Sequence, residues 1–221
     1  MRSTESGSEG IARRGLMAAA TTMALCLGIA MISNGASADG PPPQPGAAQA
    51  FDSSAPSGGE SRVAPMAPSV PQRVRIPALH LDAPLTGLGL DDEGRLTAPP
   101  EDDRNLAGWY EDGTTPGATG TAVVAGHVDT HEGPAVFYGL GALKKGNTVD
   151  VDRADGTTAV FTIDAIEVYA SDDFPDKKVY GRAARPELRL ITCGGGFSKA
   201  KQEYLGNVVV FAHLTGKKPR A

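Results

Sequence analysis

Leu188-Arg189-Leu190-Ile191-Thr192-Cys193-Gly194-Gly195-Gly196 is the stretch from which the rest of this chain is read. Its first half, branched aliphatics with a Thr, has the composition of a short buried strand. The three glycines predict the end of that strand and leave the backbone free to turn. The thiol of Cys193 is therefore expected at a strand tip. The only other cysteine, Cys26, lies in a long apolar segment near the N-terminus. A disulfide would need the two sulfurs at bonding distance, so Cys193 reads as a lone thiol. Two readings of it compete. A free cysteine is often a small buried hydrophobe. A packing residue, however, has no need of backbone freedom and approachable amides directly behind it, and this favours a nucleophile.

The flanking sequence supplies the partners of that strand. Asn207-Val208-Val209-Val210-Phe211-Ala212 reads as the final strand, ahead of a tail over 216–221. Thr148-Val149-Asp150-Val151 and Ala159-Val160-Phe161-Thr162-Ile163 flank Asp155-Gly156, a dipeptide that favours a two-residue hairpin turn. Ala165-Ile166-Glu167-Val168-Tyr169-Ala170 reads as a further strand. Thr121-Ala122-Val123-Val124-Ala125-Gly126-His127 reads as a buried strand ending in Gly and His, and Ala107-Gly108-Trp109-Tyr110 as another, with the single tryptophan. Val74-Arg75-Ile76-Pro77 and Leu79 to Leu85 alternate apolar with polar residues and are broken by prolines. Helical turns are expected only about Val136 to Leu143. Many short strands with closely spaced turn signals and no long amphipathic helix predict an all-β fold, a closed or nearly closed barrel.

Upstream the composition changes twice. Residues 1–14 carry Arg2, Arg13 and Arg14, and an uncharged run follows from Gly15 to Ala38. That run is long enough to cross a bilayer as a helix, which takes about 20 apolar residues, and the arginines predict a cytoplasmic N-terminus. Ala36-Ser37-Ala38 also fits a signal-peptidase site, but the apolar run exceeds the usual h-region, which favours an uncleaved anchor. Either way the remainder is expected outside the cytoplasm. Residues 39–71 are rich in Pro, Ala, Gly, Ser and Gln, with Phe51 almost the only large apolar side chain, and predict a disordered tether. The folded domain is expected over 72–215.

The net charge of −5 provides no basic field, so nucleic-acid partners are disfavoured. The acidic cluster of Asp91, Asp92, Glu93, Glu101, Asp102 and Asp103 lacks the alternating oxygen-ligand spacing of a calcium loop and reads as a solvated loop. No metal and no cofactor is expected.

Thiol chemistry at neutral pH needs a base beside the sulfur. His80 and His213 alternate with apolar neighbours and read as outward-facing strand residues, and His131 as a solvated loop residue. His127 mirrors Cys193 at the end of its own strand, and two strand ends can meet across one mouth of a barrel. The amides of Gly194 and Gly195, with the side chain of Asn207, are candidate donors to an oxyanion.

Leu190-Ile191-Thr192-Cys193-Gly194-Gly195 resembles the catalytic-cysteine motif of sortases, and Ala125-Gly126-His127-Val128-Asp129-Thr130 resembles their histidine motif. With Gly133-Pro134-Ala135-Val136-Phe137-Tyr138 and the final strand, the sequence is most similar to class F sortases of actinobacteria, from about Arg73 to Leu214. The resemblance implies a closed eight-stranded β-barrel with short helical turns. It implies cysteine transpeptidation of surface proteins that carry an LPXTG-like sorting signal, cut between Thr and Gly. Cys193 would form the thioester, His127 would handle protons, and the acceptor would be an amine of a peptidoglycan precursor. Sortases generally place an arginine on or just before the last strand. Tyr204-Leu205-Gly206-Asn207 holds none, and Asn207 falls where that group would lie. Arg95, Arg104, Arg182, Arg185 and Arg189 are the candidates to reach in from elsewhere. The runner-up reading is a cell-surface β-barrel binding module whose Cys193 is inert and buried.

Overall fold

The computed structural model describes residues 40–52 and 63–220. The chain divides into two units, residues 1–40, of which only Gly40 is described, and Pro41 to Ala221. The expected membrane segment 15–38 lies outside the described residues. Among the described residues no helix is long and apolar enough to cross a membrane.

Eight strands close into a barrel: β1 (Pro71–Ile76), β2 (Leu81–Leu88), β3 (Ala107–Tyr110), β4 (Gly120–Gly126), β7 (Thr148–Arg153), β8 (Thr157–Ala170), β9 (Pro186–Ser198) and β10 (Glu203–Pro219). Around the wall they run β1-β2-β3-β4-β9-β10-β8-β7 and back to β1. β5 (Asp129–Thr130) and β6 (Gly133–Pro134) form a small separate hairpin. Among the described residues only β2 with β3 and β4 with β9 pair in parallel. The all-β barrel with short helical turns is the expected architecture, because strands that close on one another leave no edge unpaired.

Alternation along the strands sorts the apolar residues into two clusters. Val74, Val124, Phe161, Leu188, Leu190, Val208 and Val210 fill the barrel, while Val123, Ile191, Val209 and Phe211 form a second cluster with Ala165 and Val179. The β7–β8 hairpin turns at Asp155-Gly156, where Asp155 Oδ1 accepts from Thr157 N (3.0 Å) and from Thr157 Oγ1 (2.6 Å). Arg75 grips Asp152 through both guanidinium ends, at 2.5 and 2.6 Å, and joins β1 to β7 across the seam that closes the barrel. The acidic turn 91–94 is held by Asp91, whose Oδ1 accepts from Arg95 N (2.8 Å) and Glu93 N (3.0 Å).

Three expectations are corrected. The glycines after Cys193 do not end the strand: β9 continues to Ser198 and leaves Cys193 mid-strand. Gly195 and Gly196 take φ of +74° and +92°, and the ladder to β10 shifts register between Tyr204 and Gly206. Their conformational freedom thus forms an irregularity within a paired strand rather than its end. Downstream, the tail expected from Gly216 is part of β10, paired with β8 as far as Pro219 opposite Thr157. His80 is a turn residue with φ +51° that ends a 3₁₀ turn, not a strand residue.

The stretch read as tether also packs where it is described. Phe51 meets the ring of Phe211 edge-on at 5.1 Å, and its amide donates to Glu167 Oε1 at 3.0 Å. Lys145 N donates to Gln49 Oε1 at 2.8 Å. Val63 and Met66 pack against the barrel core, and Met66 N donates to Gly117 O at 2.8 Å. A composition average conceals these contacts, because a few apolar anchors and glutamine amides suffice to hold an irregular chain on a preformed surface.

Candidate active site

β4 and β9 run side by side in parallel, with Ala125 opposite Ile191. Two residues further along the chain stand His127, just past the end of β4, and Cys193, within β9. Thr192 Oγ1 donates to the Gly126 carbonyl at 2.8 Å and ties the two backbones together at that point. The two residues thus follow the same pair of adjacent parallel strands, His127 just past the end of β4 and Cys193 within β9. Along β9, Leu188 and Leu190 point inward while Ile191 belongs to the second cluster. Cys193, two residues after Ile191, shares its face.

Cys193 is a free and exposed thiol, not the buried cysteine of the runner-up reading. Its cross-strand partner on β10 is Asn207. Directly opposed residues on one face have their Cβ atoms about 4.5–5.5 Å apart, so the Asn207 amide lies within reach of chemistry at the sulfur.

His127 is fixed from two sides. Its ring Nε2 lies 2.7 Å from the carbonyl of Pro99, in the β2–β3 connection. A carbonyl only accepts, so Nε2 carries the proton, and in the neutral ring Nδ1 is left with the lone pair. Its backbone carbonyl accepts from Phe137 N at 3.0 Å, and the next carbonyl, of Val128, accepts from Ala135 N at 3.0 Å. Gly126 permits this return: a Cβ there would sit 2.7 Å from Val136 and 2.8 Å from Phe137.

Burial around the sulfur pushes the Cys193 thiol above its ordinary range, and the Asp129 carboxylate pushes it further. Both effects disfavour the thiolate. The resting group is a protonated thiol. Asp129 is itself held by Tyr204, whose hydroxyl donates to Asp129 Oδ2. Burial and the same carboxylate raise the Tyr204 phenol, which stays protonated. The Tyr204 ring rests edge-on against Phe197 at 5.2 Å.

One candidate oxyanion donor is occupied. The amide of Gly195 donates to Gln44 Oε1 at 3.2 Å, so a side-chain carbonyl from the N-terminal stretch lies on it. Val168, Phe197 and Leu205 expose apolar surface on the strands around this point. Next to Tyr138, a cavity of about 490 Å³ is lined by Leu79, Leu81, Arg104 and Val136 among others.

Of the arginines named as candidates, four are engaged by carboxylates. Arg95 pairs with Asp91 and Glu93, Arg104 with Glu132, Arg185 with Asp164 and Glu187, and Arg189 with Glu187. Arg189 is buried with its guanidinium 4.6 Å from the Phe211 ring centroid, a packing position. Arg182 is exposed in the loop before β9. His213 lies on β10 with Nδ1 2.8 Å from Asp164, and His131 is exposed in the β5–β6 turn.

Sequence reasoning missed the Asp129–Tyr204 hydrogen bond, the Pro99 carbonyl and Gln44. Asp129 carried a signal, since it lies two residues after His127 in the quoted motif. Tyr204 and Gln44 carried none, because they reach the site through the β9–β10 irregularity and through docking of a distant segment.

The barrel resembles solved sortase structures. Sortase A of Listeria monocytogenes superposes with a TM-score of 0.51 at 15% identity, over 69% of this chain and 91% of that one. A lid mutant of sortase A from Corynebacterium diphtheriae gives 0.52 at 20% identity, over 70% and 73%. Sortase C-1 from Actinomyces oris gives 0.50 at 20%, over 65% and 73%. At these identities the likeness is one of fold. No curated protein matches the sequence. The family model described as Sortase domain matches residues 74–215, well over half of the chain, and by that match the chain belongs to the sortase family.

Proposed function

We propose that this protein is a class F-like cysteine transpeptidase that cuts an LPXTG-like sorting signal between Thr and Gly and joins the new carboxyl end to a cell-wall amine. Membership of the sortase family supports transpeptidase activity. The observation that carries the reading is the free, exposed Cys193 opposite Asn207, on a strand paired in parallel with the one that leads into His127.

The sequence of steps follows from the groups present. Because the thiol rests protonated, attack on the Thr carbonyl needs a proton acceptor, and Nδ1 of His127 has the free lone pair. The sulfur forms a bond to the carbonyl carbon, and the electron pair moves onto oxygen. The Gly195 amide and the Asn207 side chain then stabilise that oxygen. Gln44 already presents a carbonyl to the Gly195 amide, so the substrate carbonyl takes its place. Collapse breaks the C–N bond, and His127 returns its proton to the departing Gly amine. The thioester retains the energy of the amide bond, so exchange onto a second amine needs no ATP. Exposed Val168, Phe197 and Leu205 supply apolar surface for the peptide flanking the cut.

We further propose that residues 15–38 anchor the protein in the membrane with the barrel on the extracytoplasmic side, where the surface proteins and the precursor amine are found. The length of the uncharged run behind Arg13 and Arg14 supports this.

The test is a mixture of the folded protein, a small library of LPXTG-like peptides and a primary amine, analysed by mass spectrometry. Amide products joined after Thr are expected, and none with Cys193→Ala. Failure to exchange any peptide would overturn the reading. N-terminal sequencing of the native protein that began at Asp39 would overturn the anchor.

A further inference from the structure

The hydrogen bond between Tyr204 and Asp129 joins two segments far apart in the chain, the short β5 strand just after His127 and the start of β10 just after the β9 hairpin. Cys193 lies close enough to feel the carboxylate's charge. For the first half-reaction that charge is a hindrance, because a carboxylate beside a thiol opposes the thiolate. Acylation as described above uses His127, Gly195 and Asn207 and has no need of Asp129.

Its surroundings show what the carboxylate lacks. Asp82, Asp91, Asp150, Asp152, Asp155 and Asp164 each hold an arginine, lysine or histidine. Among the described residues Asp129 forms no ion pair, and the group that holds it is a neutral phenol. The cations on nearby segments are committed: Arg104 to Glu132 and Lys201 to Glu203. The other titratable groups that act on the Asp129–Tyr204 pair or feel it are Cys193 and Tyr138. A partly exposed carboxylate without a cation, held by a phenol where its charge reaches the sulfur, suits a transient cationic partner.

We propose that Asp129, held in place by Tyr204, is the binding site for the ammonium group of the acceptor amine in the second half-reaction. This rests on the transpeptidase reading and assigns the acceptor side of the same site. A primary amine arrives at neutral pH chiefly as ammonium, and the carboxylate concentrates it beside the thioester. After loss of one proton to solvent, the amine nitrogen attacks the thioester carbon. The C–N bond forms, the nitrogen becomes positive and the carbonyl electron pair moves to oxygen. Asp129 stabilises that positive nitrogen in the transition state. Collapse breaks the C–S bond, and the second nitrogen proton passes through His127 to the leaving sulfur and restores the thiol. The sum is thioester plus amine giving amide plus thiol, with no redox partner.

The experiment compares two nucleophiles on the acylated full-length protein: a primary alkylamine, cationic at neutral pH, and hydroxylamine, which is uncharged there. Asp129→Asn keeps an oxygen to accept from Tyr204 and removes only the charge. The ratio of apparent amine affinity (1/KM) for alkylamine over hydroxylamine is expected to fall roughly two- to fivefold, the size of one partly exposed ion pair. In the unmodified protein the same ratio falls as ionic strength rises, and in Asp129→Asn it does not. A merely structural role would change both nucleophiles together, and an unchanged ratio overturns the acceptor site. If the unmodified protein forms no thioester with any sorting peptide, the transpeptidase reading fails and takes the acceptor site with it. A thioester that forms with an unchanged ratio sinks the acceptor site alone.

Discussion

At the scale of single residues the account turns on one proton. The Cys193 thiol is pushed up by burial and by Asp129, so its thiolate is a minor species near neutrality. The rate of alkylation by iodoacetamide should then climb about tenfold per pH unit through neutral pH, because only the thiolate reacts. Removing the carboxylate in Asp129→Asn lowers the thiol's pKa, so the same climb should occur at lower pH. An alkylation rate already flat at neutral pH would contradict a raised thiol. His127→Ala should slow acyl transfer by about 10²–10⁴, the range for a positioned proton donor and acceptor. Asn207→Ala should slow turnover by about 10²–10³ with little change in peptide affinity, as expected for loss of one oxyanion donor. Lost thermal stability with normal turnover per folded molecule would show that Asn207 is only a strand residue opposite Cys193. Cys193, His127 and Asn207 were legible as candidates in their residue types and neighbours. Asp129 with Tyr204 was not, because a hydrogen bond between residues on β5 and β10 leaves no local pattern.

At the scale of elements, the site depends on pieces that hold it from outside the ladder. Strand identities were legible, since alternation and the Asp155-Gly156 turn are local. The extent of β9 was not, because three glycines look alike whether they end a strand or sit within one, and only pairing with β10 decides. The segment 41–52 is one such piece. Its Gln44 carbonyl lies on the Gly195 amide, and Phe51 covers Phe211. Gln44→Ala should free the amide and speed thioester formation by a few-fold, measured as the pre-steady-state rate with excess peptide. An unchanged rate would mean that the substrate carbonyl does not use that amide. Phe51→Ala removes one aromatic pair and part of its buried area, and should lower stability by about 1–2 kcal/mol in a denaturant titration.

Residues 63–220 form a barrel whose closure and seal come from different parts of the chain. Closure was readable from the count of strands and the absence of long amphipathic helices. The seal was not, because residues 63–70 look like linker by composition. They carry Met66 onto the core, and the Ala67 carbonyl accepts from Arg153, a wholly buried guanidinium that also pairs with Asp155 at 3.2 Å. Burial lowers the pKa of that guanidinium, so its partners matter to the folded state. A chain starting at Pro71 should therefore melt below one starting at Val63, with a difference of about 1–3 kcal/mol for a buried polar group left without its partner. Equal melting temperatures would show that 63–70 adds nothing to the barrel.

The central claim is that Cys193 carries the acyl group between its two amines, and intact-mass spectrometry tests it most directly. The protein is incubated with an LPXTG-like peptide and no amine, quenched in acid and digested. The account predicts a mass increase equal to the fragment ending in Thr, located on Cys193 and discharged by hydroxylamine. No adduct with any peptide, an adduct on another residue, or one that persists in Cys193→Ala would contradict it.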